Sequence, residues 1–153
     1  MPERITITNY SSGPVAHIGT LAVLPGETRS RPVRSYDLDL SRETWVRAAA
    51  MGLAIKFDAE ALPGLVEASA ALTVAPSQRL VVATSAGFSV ALPKLSEVPQ
   101  DYTLTIIRKA GPGTLTVEAD GDETISGQPG AELTEDGQKL RLRPVSATNW
   151  GTY

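Results

Sequence analysis

Apolar and polar residues alternate over several short stretches of the chain. Arg4-Ile-Thr-Ile-Thr8 places Ile5 and Ile7 on one side. Tyr102-Thr-Leu-Thr-Ile106 groups Tyr102, Leu104 and Ile106 and sends Thr103 and Thr105 the other way. Thr114-Leu-Thr-Val-Glu118 and Lys139-Leu-Arg-Leu-Arg143 repeat the pattern. A period of two with threonine on the wet side predicts half-buried strands, read here as antiparallel. Further strands are expected over residues 16–24, 28–34, 72–75, 79–83 and 87–92. Pro25-Gly26 marks a reversal between the first two of these. Lys109-Ala-Gly-Pro-Gly113 and Ala119-Asp-Gly-Asp122 carry the residues of tight turns. Pro14, Pro32, Pro76 and Pro93 fall at strand ends, where a missing N–H does least harm.

One segment has the period of a helix. Ser41 is placed to cap it, and Arg42-Glu-Thr-Trp-Val-Arg-Ala-Ala-Ala-Met51 continues it. Glu43 lies in the first turn, where the macrodipole favours an anion, and Gly52 is placed to end the helix. Trp45, Ala48, Ala49 and Gly52 share one face at i, i+3, i+4, i+7 spacing. Burial within the protomer is the preferred reading of Trp45, and contact with a partner is the other. Asp58 to Ala71 is rich in alanine and broken by Pro63-Gly64, which reads as a connector. The expected organisation is therefore a small N-terminal β domain with one short helix over 1–70, and a C-terminal β domain over 71–153. Residues 1–70 carry seven basic and eight acidic side chains, and 71–153 carry seven and nine. Charge does not separate the roles of the two halves.

The 153 residues include no Cys and a single His17, so thiolate sites and multi-histidine metal sites are excluded. A net charge of −3 argues against nucleic-acid binding through bulk charge. No apolar run approaches the roughly 20 residues of a membrane-spanning helix, and Met1 to Ile7 holds no apolar signal core. No membrane association, export signal or cofactor is expected. His17 has no Gly-x-Ser-x-Gly partner motif and reads as a structural or surface histidine. Asp120, Asp122 and Glu123 cluster around Gly121, but the spacing stops short of a full calcium loop. Glu132, Glu135 and Asp136 could be weighed as a glycosidase pair, yet such sites need a deep cleft. Gly111-Pro-Gly113 lacks the Lys-Ser/Thr and helix of a P-loop. Arg29, Arg31 and Arg34 form the one basic cluster. Together with Trp45 they are the candidate interaction residues, suited to an acidic protein surface. A solvated strand face is the plainer reading of the arginines.

The order of pieces in the second half carries a resemblance. Gly87-Phe-Ser-Val-Ala-Leu-Pro93 is followed by Asp101-Tyr-Thr-Leu-Thr-Ile-Ile-Arg-Lys109 and Gly113-Thr-Leu-Thr-Val-Glu118. Then come Gly121-Asp-Glu-Thr-Ile-Ser-Gly127, Glu132-Leu133, and a closing strand that runs into Asn149-Trp150. Over residues 80–153 this resembles a small β module of tailed-phage virion proteins, found in fibres, spikes and capsid decoration proteins. The resemblance implies a mainly β protein whose C-terminal module is an antiparallel β sandwich or β-prism-like unit that trimerises and projects. The N-terminal half would be the adaptor that binds the particle. It further implies a non-enzymatic virion protein, a capsid decoration or head-fibre protein bound to the major capsid protein as a homotrimer. A tail-fibre or baseplate component is the alternative position. A carbohydrate-binding module for a host surface glycan is the alternative of another class, and it needs a platform of exposed aromatics.

Overall fold

The computed structural model describes residues 2–13, 15–18, 21–34, 37, 40, 42–58, 60–61 and 64–153. The expected cap Ser41 and strand-end Pro14 lie outside them. Two compact units divide the chain, Met1–Leu65 and Val66–Tyr153. The mainly β class with a short helix is what the chain adopts.

The first unit contains β1 (Arg4–Asn9), β2 (Ala16–Ile18), β3 (Leu21–Val23), β4 (Thr28–Pro32), helix α1 (Arg42–Ala50), β5 (Leu53–Phe57) and β6 (Glu60–Ala61). Its main sheet has the order β4-β1-β5-β6, with antiparallel pairs throughout. Ile5 and Ile7 face inward, as their alternation predicts, and pack with Val23, Trp45, Leu53 and Ile55. On the opposite face Thr6 donates to Ser30 at 3.1 Å and Thr8 pairs with Thr28 at 2.8 Å. These hydroxyls satisfy one another across the strands. Gly52 adopts φ +86 just past α1, a left-handed conformation that glycine reaches without strain.

Two expectations need correction here. The single strand over 16–24 is instead a hairpin, with Ala16↔Val23, His17↔Ala22 and Ile18↔Leu21 in register. A glycine inside the apolar run was the signal for a break. The connector over 58–71 contains strand: β6 closes the first sheet, and β7 (Leu65–Ala68) opens the second unit. Alanine intrinsically favours helix, so here long-range strand pairing overrides local propensity.

The second unit continues from β7 through β8 (Leu72–Thr73), β9 (Leu80–Ala83), β10 (Ser89–Ala91), a 3-10 turn at Leu95–Glu97, β11 (Leu104–Arg108) and β12 (Leu115–Glu118). It ends with β13 (Thr124–Ile125), β14 (Gly130–Leu133), β15 (Lys139–Pro144) and β16 (Asn149–Thr152). Two sheets, β14-β12-β10-β8 and β13-β16-β15-β11-β9-β7, enclose a shared core. Val81, Leu104, Ile106, Leu142 and Trp150 from the larger sheet meet Val90, Leu115, Val117 and Leu133 from the smaller. This is a sandwich, but its strands are not all antiparallel. β8 with β10, β10 with β12, β9 with β11, and β13 with β16 are parallel. The cause is the winding. From β7 to β15 each successive strand lies in the other sheet. From β8 to β12 the chain returns to its own sheet two passes later heading the same way, whereas β14 comes back antiparallel to β12. The segments at 109–113 and 119–122, expected as tight turns between antiparallel strands, are arches from sheet to sheet.

At the centre of the larger sheet burial is two-sided. Leu80 and Val82 on β9 and Ile107 on β11 point away from the sandwich core and are still buried. Continuous apolar sequence, here Leu80-Val-Val-Ala83, is what such a strand requires.

Candidate functional site

The three clustered arginines have separate fates. On β4, Arg29 and Arg31 pair with Ile7 and Ile5, so both start from the core-facing side of an edge strand. Arg29 reaches back out. Its side chain is 47% exposed, and Nη2 lies 2.8 Å from Glu27 Oε1. The Glu27 carboxyl is held below its ordinary value by that hydrogen bond and by the Leu24 N–H donated to it. Arg31 stays inside. Nη1 and Nη2 donate to the two carboxylate oxygens of Asp37, each at 2.7 Å, and Nη1 also donates to the Pro32 carbonyl. Asp37 is fully buried and accepts the Arg34 N–H at 2.8 Å. Its carboxyl is lowered chiefly by the Arg31 hydrogen bonds, which outweigh burial. Arg34 itself is exposed.

Arg31 is thus removed from the expected contact set, because its guanidinium is spent in a buried two-pronged pair. Trp45 is removed as well. It is buried against the core, with Phe57 edge-on at 5.8 Å between ring centroids, which is the preferred reading made of it. Arg29 and Arg34 remain as surface cations. Asp37 was missed in the sequence. The available signal was an arginine at an inward position of a strand, which requires a counter-charge nearby.

The second constellation lies in the C-terminal unit. Glu123 Oε1 accepts the Leu95 N–H at 2.9 Å, and Oε2 accepts the Trp150 indole N–H at 3.3 Å. Thr124 donates to Asn149 Oδ1 at 2.8 Å, and the same oxygen accepts the Gly127 N–H at 3.2 Å. Glu123-Thr124-Ile125 and Asn149-Trp150, distant in sequence, therefore close on each other as parallel neighbours. Trp150 is fully buried and stands edge-on to Tyr102 at 5.8 Å. Tyr102 donates its hydroxyl to the Gln78 carbonyl at 2.7 Å, and the Arg79 guanidinium lies 4.1 Å over its ring. Burial pushes the Tyr102 hydroxyl up to about 12, against the Arg79 charge.

Arg108 is the second buried cation among the described residues. It donates to Asp136 and to the carbonyls of Gly111 and Gly113, and so binds the arch after β11 to the turn before β15. Its place in the alternation, one step beyond Leu104 and Ile106 on their side of the strand, is again an arginine at an inward position.

The carboxylates weighed for catalysis or calcium do not converge. Glu123 is engaged by Leu95 and Trp150, and Asp136 by Arg108. Among the described residues no three acidic or histidine side chains gather closely enough to hold a metal ion. His17 is exposed on β2. Both tryptophans are buried, and among the described aromatic residues Tyr153, at 55%, is the exposed one. No helix among the described residues is long and apolar enough to cross a membrane. No protein-family model, curated protein or solved structure matches this chain.

Proposed function

We propose that the chain is a structural protein of a tailed-phage virion, a non-enzymatic capsid decoration protein that binds the outer capsid as a homotrimer. The observation that carries this reading is the junction of Glu123-Thr124-Ile125 with Asn149-Trp150. These are two of the sequence pieces on which the resemblance rests, and four hydrogen bonds join them to one another and to the flanking Leu95 and Gly127. They make one structural feature, so the resemblance concerns a packed unit rather than scattered letters. In this reading the first unit supplies the particle-binding surface. Arg29 and Arg34 are its cations, and the major capsid protein is its partner. The second unit projects and assembles.

The test is fractionation of virions that carry the protein into filled heads and tails, followed by mass spectrometry of each. Presence in the head fraction at a copy number in multiples of three agrees with the proposal. Presence in tails alone moves the protein to a fibre or baseplate. Absence from both fractions overturns the virion reading.

A further inference from the structure

The second unit holds two Asp-Gly pairs, Asp120-Gly121 in the arch between β12 and β13 and Asp136-Gly137 in the turn before β15. Such a pair is open to a spontaneous rearrangement of the main chain, because glycine puts no side chain in the way of its own nitrogen. The residues are the same in both, so their surroundings set any difference between them.

By exposure alone Asp136 is well placed to react, with its side chain 66% exposed. Both of its reacting groups are nevertheless engaged. The carboxylate accepts from Arg108 Nη1, and the Gly137 N–H donates to the Arg108 carbonyl at 2.7 Å. One buried residue thus holds the carboxylate with its side chain and the amide with its main chain. At Asp120-Gly121 neither group is held. Among the described residues nothing accepts the Gly121 N–H, and nothing donates to or pairs with the Asp120 carboxylate. Gly121 is exposed, and a Cβ built on it would meet nothing within 4 Å, so the chain there has room to turn. A backbone amide without a partner reacts without a prior opening step.

We infer that Asp120-Gly121 is a site of aspartate isomerisation, and that Arg108 protects Asp136-Gly137 from the same reaction. The Gly121 nitrogen attacks Cγ of the protonated Asp120 carboxyl. The new C–N bond forms as the nitrogen gives up its proton and the C–OH bond breaks, and one water leaves a cyclic succinimide. Water then adds to either ring carbonyl. Addition at Cγ breaks the new C–N bond and restores aspartate. Addition at the main-chain carbonyl breaks the original peptide bond and leaves isoaspartate, linked through Cγ and unchanged in mass. That linkage adds one carbon to the main chain ahead of Glu123. The carbonyl that accepted the Glu123 N–H at 2.9 Å becomes a free carboxylate outside the chain. Glu123 loses the turn that aims its carboxylate at the Leu95 N–H and the Trp150 indole, and the clasp on β16 loosens.

The experiment ages the full chain in warm neutral buffer, with a second sample in denaturant. Each is digested with a protease that cuts before aspartate but not before isoaspartate, and the peptides are separated and fragmented in a mass spectrometer. Natively, the Asp120 peptide is expected to split into forms of equal mass that resist the cut, while the Asp136 peptide stays single. In denaturant both are expected to convert at similar rates. A native Asp120 peptide that stays single overturns the site. Native conversion at Asp136 as fast as at Asp120 overturns the protection by Arg108, as does a denatured sample in which Asp136 still lags. Asp120→Glu, whose ring would have six members and closes slowly, is aged alongside. The aged parent is expected to gain a lower-melting fraction that aged Asp120→Glu lacks. An isomerised fraction that melts with the fresh parent, or an equal loss in Asp120→Glu, overturns the link to the Trp150 clasp.

Discussion

Removing the Asp37 carboxylate leaves the Arg31 guanidinium buried without its counter-charge. Breaking a buried pair from one side costs about 3–5 kcal/mol. Asp37→Asn is expected to lose that much in denaturant unfolding, while Arg31→Met with Asp37→Leu recovers most of it. The sign of the pH effect follows from the lowered Asp37 value. Its contribution is fully present above the ordinary carboxyl value of 3.8 and is lost as pH falls through the lower folded-state value. Acid titration of Asp37→Asn should therefore show a shallower loss of stability below pH 4 than the parent; equal slopes would refute the assignment. Trp150 gives a second test at this scale. Trp150→Ala is expected to cost about 3–5 kcal/mol through the cavity it opens. Trp150→Phe keeps most of the packing and loses the indole bond to Glu123, about 1 kcal/mol. A Trp150→Ala melt equal to the parent's would place the ring outside the core.

Single elements were legible in proportion to how local their causes are. α1 was readable because Glu43, the alanine run and Gly52 act within one stretch of chain. The inward faces of β1, β11, β12 and β15 were readable because alternation encodes burial directly. Partners were not readable. Alternation says which side of a strand is apolar and nothing about which strand lies beside it, so parallel pairs were expected as antiparallel. The buried roles of Arg31 and Arg108 were hidden for a related reason. A charged residue at an inward position looks like a lapse in the pattern until its counter-group arrives from elsewhere in the chain. Pairing itself can be tested at Gly130, where an added Cβ would sit 2.7 Å from the Val117 carbonyl oxygen across the β12–β14 ladder. Gly130→Ala is expected to destabilise by about 1–3 kcal/mol, typical of overpacking, and to weaken amide protection at β14 before the rest of the unit. Uniform exchange in the variant would mean that β14 does not report on that ladder.

For the whole molecule, the surviving candidates on the first unit are Arg29 and Arg34, and the fold makes them separable from stability. Both are exposed, so Arg29→Ser with Arg34→Ser should change the unfolding free energy by no more than about 0.5 kcal/mol. Occupancy on undecorated particles should fall at low salt, and the gap to the parent should narrow at high salt, where the arginine charges are screened. Arg31→Ser, by contrast, should lose stability first and binding only as a consequence. Unchanged occupancy in the double variant would move the particle contact away from β4. The order of pieces was legible in the sequence, and the clasp between Glu123 and Trp150 joins two of them. The division of labour among the arginines was not, because Arg31 takes its role from a carboxylate in a different segment.

The winding of the second unit has a mechanical consequence. Two stacked sheets joined by hairpins within each sheet are held to one another by side-chain packing and by few crossings of the chain. Here every connection from β7 to β15 passes from one sheet to the other. Prying the sheets apart would load peptide bonds at each crossing, and a cut in one arch would leave the others still tying the layers. The unit behaves as a laced seam. It yields by unthreading from an end, strand by strand, and the last strand at the C-terminal end, β16, is the one fastened by Asn149 and Trp150.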